Sequence, residues 1–118
     1  MGHSLGGYFV LYALTRHLME PSVFNNFVAA SPSIYYHDNY LTKEIESIPT
    51  YKSKDNMKLY LTIGELEVLE GQSKDLEKLT KTLSDKRINF QADVYPNLEH
   101  MGTGIPTFEK GIHLVMSK

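Results

Sequence analysis

Residues 2–7 read Gly-His-Ser-Leu-Gly-Gly, and an apolar run follows at once. A serine with glycine two residues before and two residues after it, directly ahead of a helix-forming run, constrains this chain more than any other feature. G-x-S-x-G is the pattern of a nucleophile elbow, a sharp turn between a strand and a helix that holds the serine in strained backbone. On this reading side chains at Gly2 and Gly6 would crowd the neighbouring elements. The same turn gathers backbone N–H groups at a helix N-terminus, where developing negative charge is favoured. The N–H of Leu5 is then the candidate oxyanion donor. From residue frequencies, a chance match somewhere in a chain of this length has a probability of ~0.04. The helix that starts immediately after Ser4 adds weight to the pattern. The plainer role for Ser4, capping that helix, stands beside the nucleophile role.

The rest of the chain alternates strands with helices. Residues 4–19 predict a helix with Leu11, Leu14 and Leu18 on one face; Phe9, Val10 and Tyr12 make it apolar nearly all round, so burial on most sides is expected. Pro21 fits a stop after it. Residues 26–31 read as a short buried strand closed by Pro32, and 39–48 as an amphipathic helix through Leu41, Ile45 and Ile48. A polar connection, 51–56, leads to the clearest strand, 57–63, ended by Gly64. Residues 73–86 form a surface helix with Ser73 as its cap and Leu76, Leu79 and Leu83 inward. Residues 89–95 alternate, with Phe90, Ala92 and Val94 on one side. A last helix, 105–116, has Pro106 in its first turn and Phe108, Ile112 and Val115 inward; Gly111 weakens it by about 1 kcal/mol of propensity. This order predicts an α/β fold, with about three parallel strands covered by helices and joined by right-handed crossovers. Residues 1–118 are expected to form one partial domain, in which the strand leading into the elbow is missing.

Composition removes several classes of function. The chain has 118 residues, 42% hydrophobic and 22% charged, the balance of an ordinary soluble globular protein. Its net charge is −2 and its basic residues are dispersed, so no nucleic-acid partner is expected. No apolar run reaches membrane-spanning length, and no membrane partner is expected. Cysteine is absent, which excludes disulfides and thiolate metal sites. His37 and Asp38 are adjacent and lack ligand spacing, so neither a metal nor a cofactor is expected. No compartment is indicated.

Residues 2–14, with 23–36 after them, resemble an esterase family of the α/β-hydrolases. It includes esterase D-like enzymes and the siderophore (ferric-enterobactin type) esterases. The resemblance rests on the elbow and on a strand ending in Ser31-Pro32-Ser33 with Tyr35 and Tyr36 behind it. It extends to residues 59–67 and 95–102. It covers nearly all of the 118 residues but only the C-terminal half of the family's domain. It implies a serine hydrolase acting on a small-molecule ester, carboxylic or siderophore, through an acyl-enzyme.

The fold so implied orders its triad as serine, acid, histidine. Of the five histidines, His3 lies inside the elbow, where its side chain is expected to point away from the nucleophile. His17 sits near a helix end, His37 in a polar loop, and His113 in the last helix beside core positions. His100 follows a strand and a Pro-Asn turn and precedes Gly102 and Gly104. A loop at the C-terminal end of a strand is where open α/β sheets place their sites, so His100 is the candidate base. The acid should come from the loop after 57–63, which holds Glu65, Glu67 and Glu70. Many α/β-hydrolases carry G-x-x-D there, and Gly64–Glu67 matches with Glu for Asp. Glu67 is favoured; Glu65 and Glu70 stay open, as does a merely solvated acidic loop. The family also contains enzymes that work with a Ser–His pair. Tyr35, Tyr36 and Tyr40 read as a core edge or, less simply, as an aryl pocket.

In the family a second oxyanion N–H comes from an earlier loop, and losing one such donor typically costs about 10²–10³ in rate. Activity of the 118-residue chain by itself is therefore expected to be weak or absent. The alternative reading is a non-catalytic α/β module, the oligomerising or binding remnant of an esterase. Phe27, Val28, Ala29 and Ala30 are expected on an open sheet edge, a template for another chain. A homodimer through strand 26–31 and helix 4–19 is the simplest closed arrangement.

Overall fold

A computed structural model of the chain describes residues 1–20, 24–49, 57–68 and 73–116. Pro21, the 51–56 connection, Glu70 and the side chain of Ser73 lie outside the described residues. In chain order the elements are β1 (Gly2–His3), α1 (Leu5–Met19), β2 (Asn26–Ala30), α2 (Tyr36–Ser47), β3 (Lys58–Gly64), α3 (Glu65–Glu67), α4 (Ser73–Asp85), β4 (Phe90–Tyr95) and α5 (Gly104–Met116). A short 3₁₀ turn, His100–Gly102, precedes α5.

The sheet has four strands in the order β1-β2-β3-β4, all neighbours parallel. The addition to the expected three is β1, two residues long, pairing Gly2 with Ala29 and His3 with Ala30. The end of the strand that feeds the elbow is thus present. It also corrects the expected open edge, because Ala29 and Ala30 are paired with β1. The unpaired stretch along that side shortens to Asn26–Val28, and Phe27 and Val28 keep their side chains buried.

Both faces of the sheet are covered, and the period of two along each strand divides the core. Phe27 and Ala29 of β2, with Leu59 and Leu61 of β3, face the larger core beneath α1, α2 and α4, formed with Leu11, Leu14, Leu41, Ile45, Leu79 and Leu83. Val28 and Tyr60 face the other way, onto Val115 and Phe108 of α5. Continuous apolar runs in β2 and β3 reflect strands buried on both sides.

Two expectations about faces change. Helix α1 buries Val10, Leu11, Leu14 and Leu18, but Phe9 is 68% and Tyr12 40% exposed, because only one side of the helix meets the sheet. In α5, Val115 is buried and Phe108 packs partly inward, while Ile112 points out. Gly111 makes that helix possible: a Cβ there would lie 2.6 Å from Val28 Cγ1, so a loss of helix propensity permits the close approach of α5 to the sheet. In β4, Phe90, Ala92 and Val94 share one side as expected, and Phe90 packs partly against the larger core. β4 is an edge strand, Val94 is 48% exposed, and the opposite face carries a polar anchor.

On that face the Tyr60 hydroxyl donates to Asp93 Oδ2 at 2.6 Å and contacts the Tyr95 hydroxyl at 2.8 Å. Lys110 of α5 donates to the same Asp93 oxygen at 2.9 Å. Burial pushes the Asp93 carboxyl up, but hydrogen bonds from Lys110, Tyr60 and Gln91 and the charge of Lys110 hold it below its ordinary value. Asp93 in turn raises Lys110, and burial, followed by its hydrogen bonds with Asp93 and Tyr95, raises Tyr60. A carboxylate lowered by folding stabilises above its ordinary value of 3.8 and loses that contribution as pH falls through the lower folded one. A raised ammonium stabilises below its ordinary 10.5 and loses its share as pH rises through the higher folded value. The melting-temperature gap between the wild type and Asp93→Asn should therefore be widest near neutrality and shrink at both acid and alkaline extremes. A gap unchanged between neutral and strongly acid pH would count against this linkage.

Candidate active site

Ser4 stands between β1 and α1 with φ 60° and ψ −119°, a conformation that non-glycine residues rarely hold without a compensating frame. The frame is visible. Ser4 N–H donates to the Ala30 carbonyl at 3.0 Å, and the Ser4 carbonyl accepts from Tyr8 N–H at 2.9 Å and Ser33 N–H at 3.2 Å. A Cβ on Gly2 would lie 2.1 Å from the Gly6 carbonyl oxygen, so the turn closes only over glycine. The crowding expected at Gly6 falls one residue later: a Cβ on Gly6 would meet nothing within 4 Å, whereas one on Gly7 would sit 3.0 Å from Pro32 Cα and 3.1 Å from the Ala30 carbonyl. The Ser4 side chain makes no capping bond to α1; it faces His100 instead. Leu5 opens the helix, so its N–H is among the four donors that have no intrahelical acceptor.

Two loops at the same end of the sheet complete the arrangement. His100 Nε2 lies 2.8 Å from Ser4 Oγ, and His100 Nδ1 lies 2.5 Å from Glu67 Oε1. Glu67 belongs to the single turn α3 that follows β3, and it is 4% exposed. Its second oxygen, Oε2, accepts from Gly64 N–H at 2.6 Å and from Ser31 Oγ at 2.8 Å. Ser31 Oγ also lies 2.5 Å from Thr103 Oγ1. Glu65, two residues before, turns outward and accepts from Asn97 N–H at 3.1 Å. The structure thus brings Ser4, His100 and Glu67 into one hydrogen-bonded line and leaves Glu65 out of it. With Nδ1–H pointing at a carboxylate, Nε2 is left as an acceptor for the serine hydroxyl proton.

The other histidines separate clearly. His3 Nε2 donates to the His100 carbonyl at 2.6 Å, with ring centroids 5.0 Å apart. The elbow's own side chain therefore pins the backbone of the base-bearing turn. His17 is buried in the core, packed near Phe27. His37 has φ 51° at the start of α2, and His113 is exposed. No group of three His, Cys, Asp or Glu able to hold a metal occurs among the described residues. A cavity of about 260 Å³ opens beside His100 and Glu67, walled also by Ser33, Tyr35 and Thr62. Of the three tyrosines only Tyr35 lines it; Tyr40 borders a different hollow with Tyr8 and His37, and Tyr36 stacks edge-on against Tyr8 at 5.1 Å. His3, Ser31 and Thr103 were not among the expected site residues. Ser31 carried a signal only as part of the Ser-Pro-Ser run, and Thr103 carried none.

A parallel sheet covered on both faces, with a serine elbow after one strand and carboxylate and imidazole loops after two others, is the α/β-hydrolase fold. No family model matches the sequence. Over 68 residues, 56% of this chain and 22% of the relative, it is 38% identical to the ferri-bacillibactin esterase BesA of Bacillus subtilis. Among solved structures it superposes on the enterobactin and salmochelin hydrolase IroE with a TM-score of 0.71 and 24% identity, covering 99% of this chain and 45% of that one. The BES protein from Bacillus cereus gives a TM-score of 0.73 and 24% identity, over 97% of this chain and 43% of that one. The chain spans less than half the length of these structures. The chain has the α/β-hydrolase fold, and it is similar in sequence to one siderophore esterase and in fold to siderophore hydrolases.

Proposed function

We propose that this chain carries the catalytic centre of a serine hydrolase that cleaves carboxylic esters, siderophore esters among them. The observation that carries the reading is the continuous line from Ser4 Oγ through His100 to Glu67, at 2.8 Å and 2.5 Å. Ser4 Oγ attacks the ester carbonyl while His100 Nε2 takes its proton. The oxyanion forms beside the N–H of Leu5 at the α1 N-terminus. Collapse expels the alcohol, protonated by His100, and leaves Ser4 acylated. Water then attacks with His100 as base, releasing the acid and restoring Ser4. Glu67 accepts the Nδ1–H throughout and balances the imidazolium. The siderophore substrate class is drawn from the names of the similar proteins. A non-catalytic module would have no use for a strained serine aligned on a buried carboxylate.

The test is covalent labelling of the protein in its native full length with a fluorophosphonate. Ser4 Oγ should form the bond to phosphorus as fluoride leaves, and the adduct should map to the peptide containing Ser4. Absence of labelling in a folded sample would remove the serine-hydrolase reading.

A further inference from the structure

Glu67 is a buried carboxylate held by more than its imidazole partner, and the way its far oxygen is held has a direction. An ionised carboxylate only accepts hydrogen bonds. Ser31 has a single hydroxyl hydrogen, and at 2.8 Å from Glu67 Oε2 that hydrogen belongs to the carboxylate. In the 2.5 Å contact between Ser31 and Thr103, Ser31 must then be the acceptor and Thr103 the donor. The 3.3 Å contact of Thr103 with the His100 carbonyl is the weaker claim on the same hydrogen. The bonds run from Thr103 to Ser31 to Glu67, and from His100 Nδ1–H to the other Glu67 oxygen. Both hydroxyl residues are buried, Ser31 at 2% and Thr103 at 0% exposure. Ser31 is itself held at φ 42°, its N–H bonded to the Thr62 carbonyl at 2.8 Å and Pro32 following it. A left-handed serine is an uncommon way to end a strand, and here it aims the hydroxyl across the end of β3 at Glu67.

We propose that Ser31, oriented by Thr103, is a positioning residue for the site: it fixes the plane of the Glu67 carboxylate so that one oxygen stays in line with His100 Nδ1 while the other is held by Ser31 and Gly64. The role rests on the serine-hydrolase reading. Gly64 N–H alone, bound to Oε2 at 2.6 Å, leaves the carboxylate plane free to turn about that contact. The Ser31 hydroxyl supplies the second point that stops it. Outer-shell groups that orient a functional side chain are commonly worth about 10–100-fold in function when removed, and hydrogen-bonded chains of this kind are coupled rather than additive.

The experiment uses the full-length protein and a short p-nitrophenyl ester, with variants Ser31→Ala, Thr103→Val, Thr103→Ser, Glu67→Ala and the double variant Ser31→Ala/Glu67→Ala. The expected result is a fall in kcat of about 10–100-fold for Ser31→Ala, with KM changed less than about 2-fold. Thr103→Val should give a smaller fall, and Thr103→Ser should recover it. In the Glu67→Ala background, removing the Ser31 hydroxyl should change kcat by less than about 2-fold, because its only target has gone. A merely structural role would instead lower thermal stability and add its effect in both backgrounds. The proton NMR signal of His100 Nδ1–H, assigned by its loss in Glu67→Ala, reads the same geometry without turnover. It should shift or broaden in Ser31→Ala. An unchanged signal in a folded variant, or additive kinetic effects, would overturn the role of Ser31. An inactive, unlabelled wild type that still shows the Ser31-dependent signal would instead sink the hydrolase reading and leave the positioning intact.

Discussion

Ser4→Ala should lower kcat for ester hydrolysis by about 10⁴–10⁶-fold, with KM little changed. The bond-forming atom is lost, and nothing nearby can replace it. The Ser31 and Thr103 hydroxyls of the same network are buried and committed to Glu67 and to each other. What remains after the substitution is the α1 N-terminus with the Leu5 N–H, the imidazole of His100 and the cavity. Such remnants typically support a residual rate about 10³–10⁴-fold above the uncatalysed one. The fold should survive, because the Ser4 backbone bonds to Ala30, Tyr8 and Ser33 do not use the side chain. Alanine at φ 60° is no worse placed than serine. His100→Ala should fall nearly as far, since serine and base act as a unit. Turnover of a p-nitrophenyl ester and fluorophosphonate labelling would be measured together on folded protein. A Ser4→Ala variant with an intact rate would end serine catalysis as an explanation of this site.

The elbow was legible because its requirements are local: a Cβ on Gly2 collides with Gly6 four residues away, inside the same turn. The strands β2 and β3 were legible because burial on both faces makes them continuous apolar runs. Features that depend on a distant partner were not. β1 is two residues long and carries no period of its own; it exists by pairing with Ala29 and Ala30. The polar anchor on the other side of β4 was not legible, because Tyr60 and Lys110, which hold Asp93, are remote in sequence. Gly111 reads as a weakness in a helix until Val28 is seen against it. Among the acids of the 65–70 loop, spacing favoured Glu67, yet what separates it from Glu65 is the direction of one turn. Gly64 N–H draws Glu67 inward, and Asn97 N–H draws Glu65 out. His3 could be placed in the elbow but not linked to the His100 carbonyl, since a span of 97 residues separates them.

Glu67→Gln should be more damaging than Glu67→Ala, and the reason lies in the donors around the side chain. A glutamine has one acceptor oxygen and one two-hydrogen donor where glutamate has two acceptors. The Oε2 position faces two donors, Gly64 N–H at 2.6 Å and Ser31 O–H at 2.8 Å, so the amide oxygen must settle there. That turns the amide NH₂ toward His100 Nδ1, in the place where Oε1 now lies 2.5 Å away. Two N–H groups cannot face each other, so Nδ1 must give up its hydrogen and become the acceptor. The proton moves to Nε2, which then cannot take one from Ser4. A substitution of this kind traps the wrong imidazole tautomer and typically costs about 10⁴-fold in kcat. Glu67→Ala removes the orienting group but dictates no tautomer, so a fraction of His100 still presents an unprotonated Nε2. Its rate should sit between the wild type and Glu67→Gln. The three-way ranking discriminates between two uses of the site. If Glu67 orients and balances the imidazole, activity falls in the order wild type, Glu67→Ala, Glu67→Gln. If Ser4 and His100 work as a pair and Glu67 is structural, both variants keep the rate within a few-fold whenever they fold, and the carboxylate has no part in the chemistry.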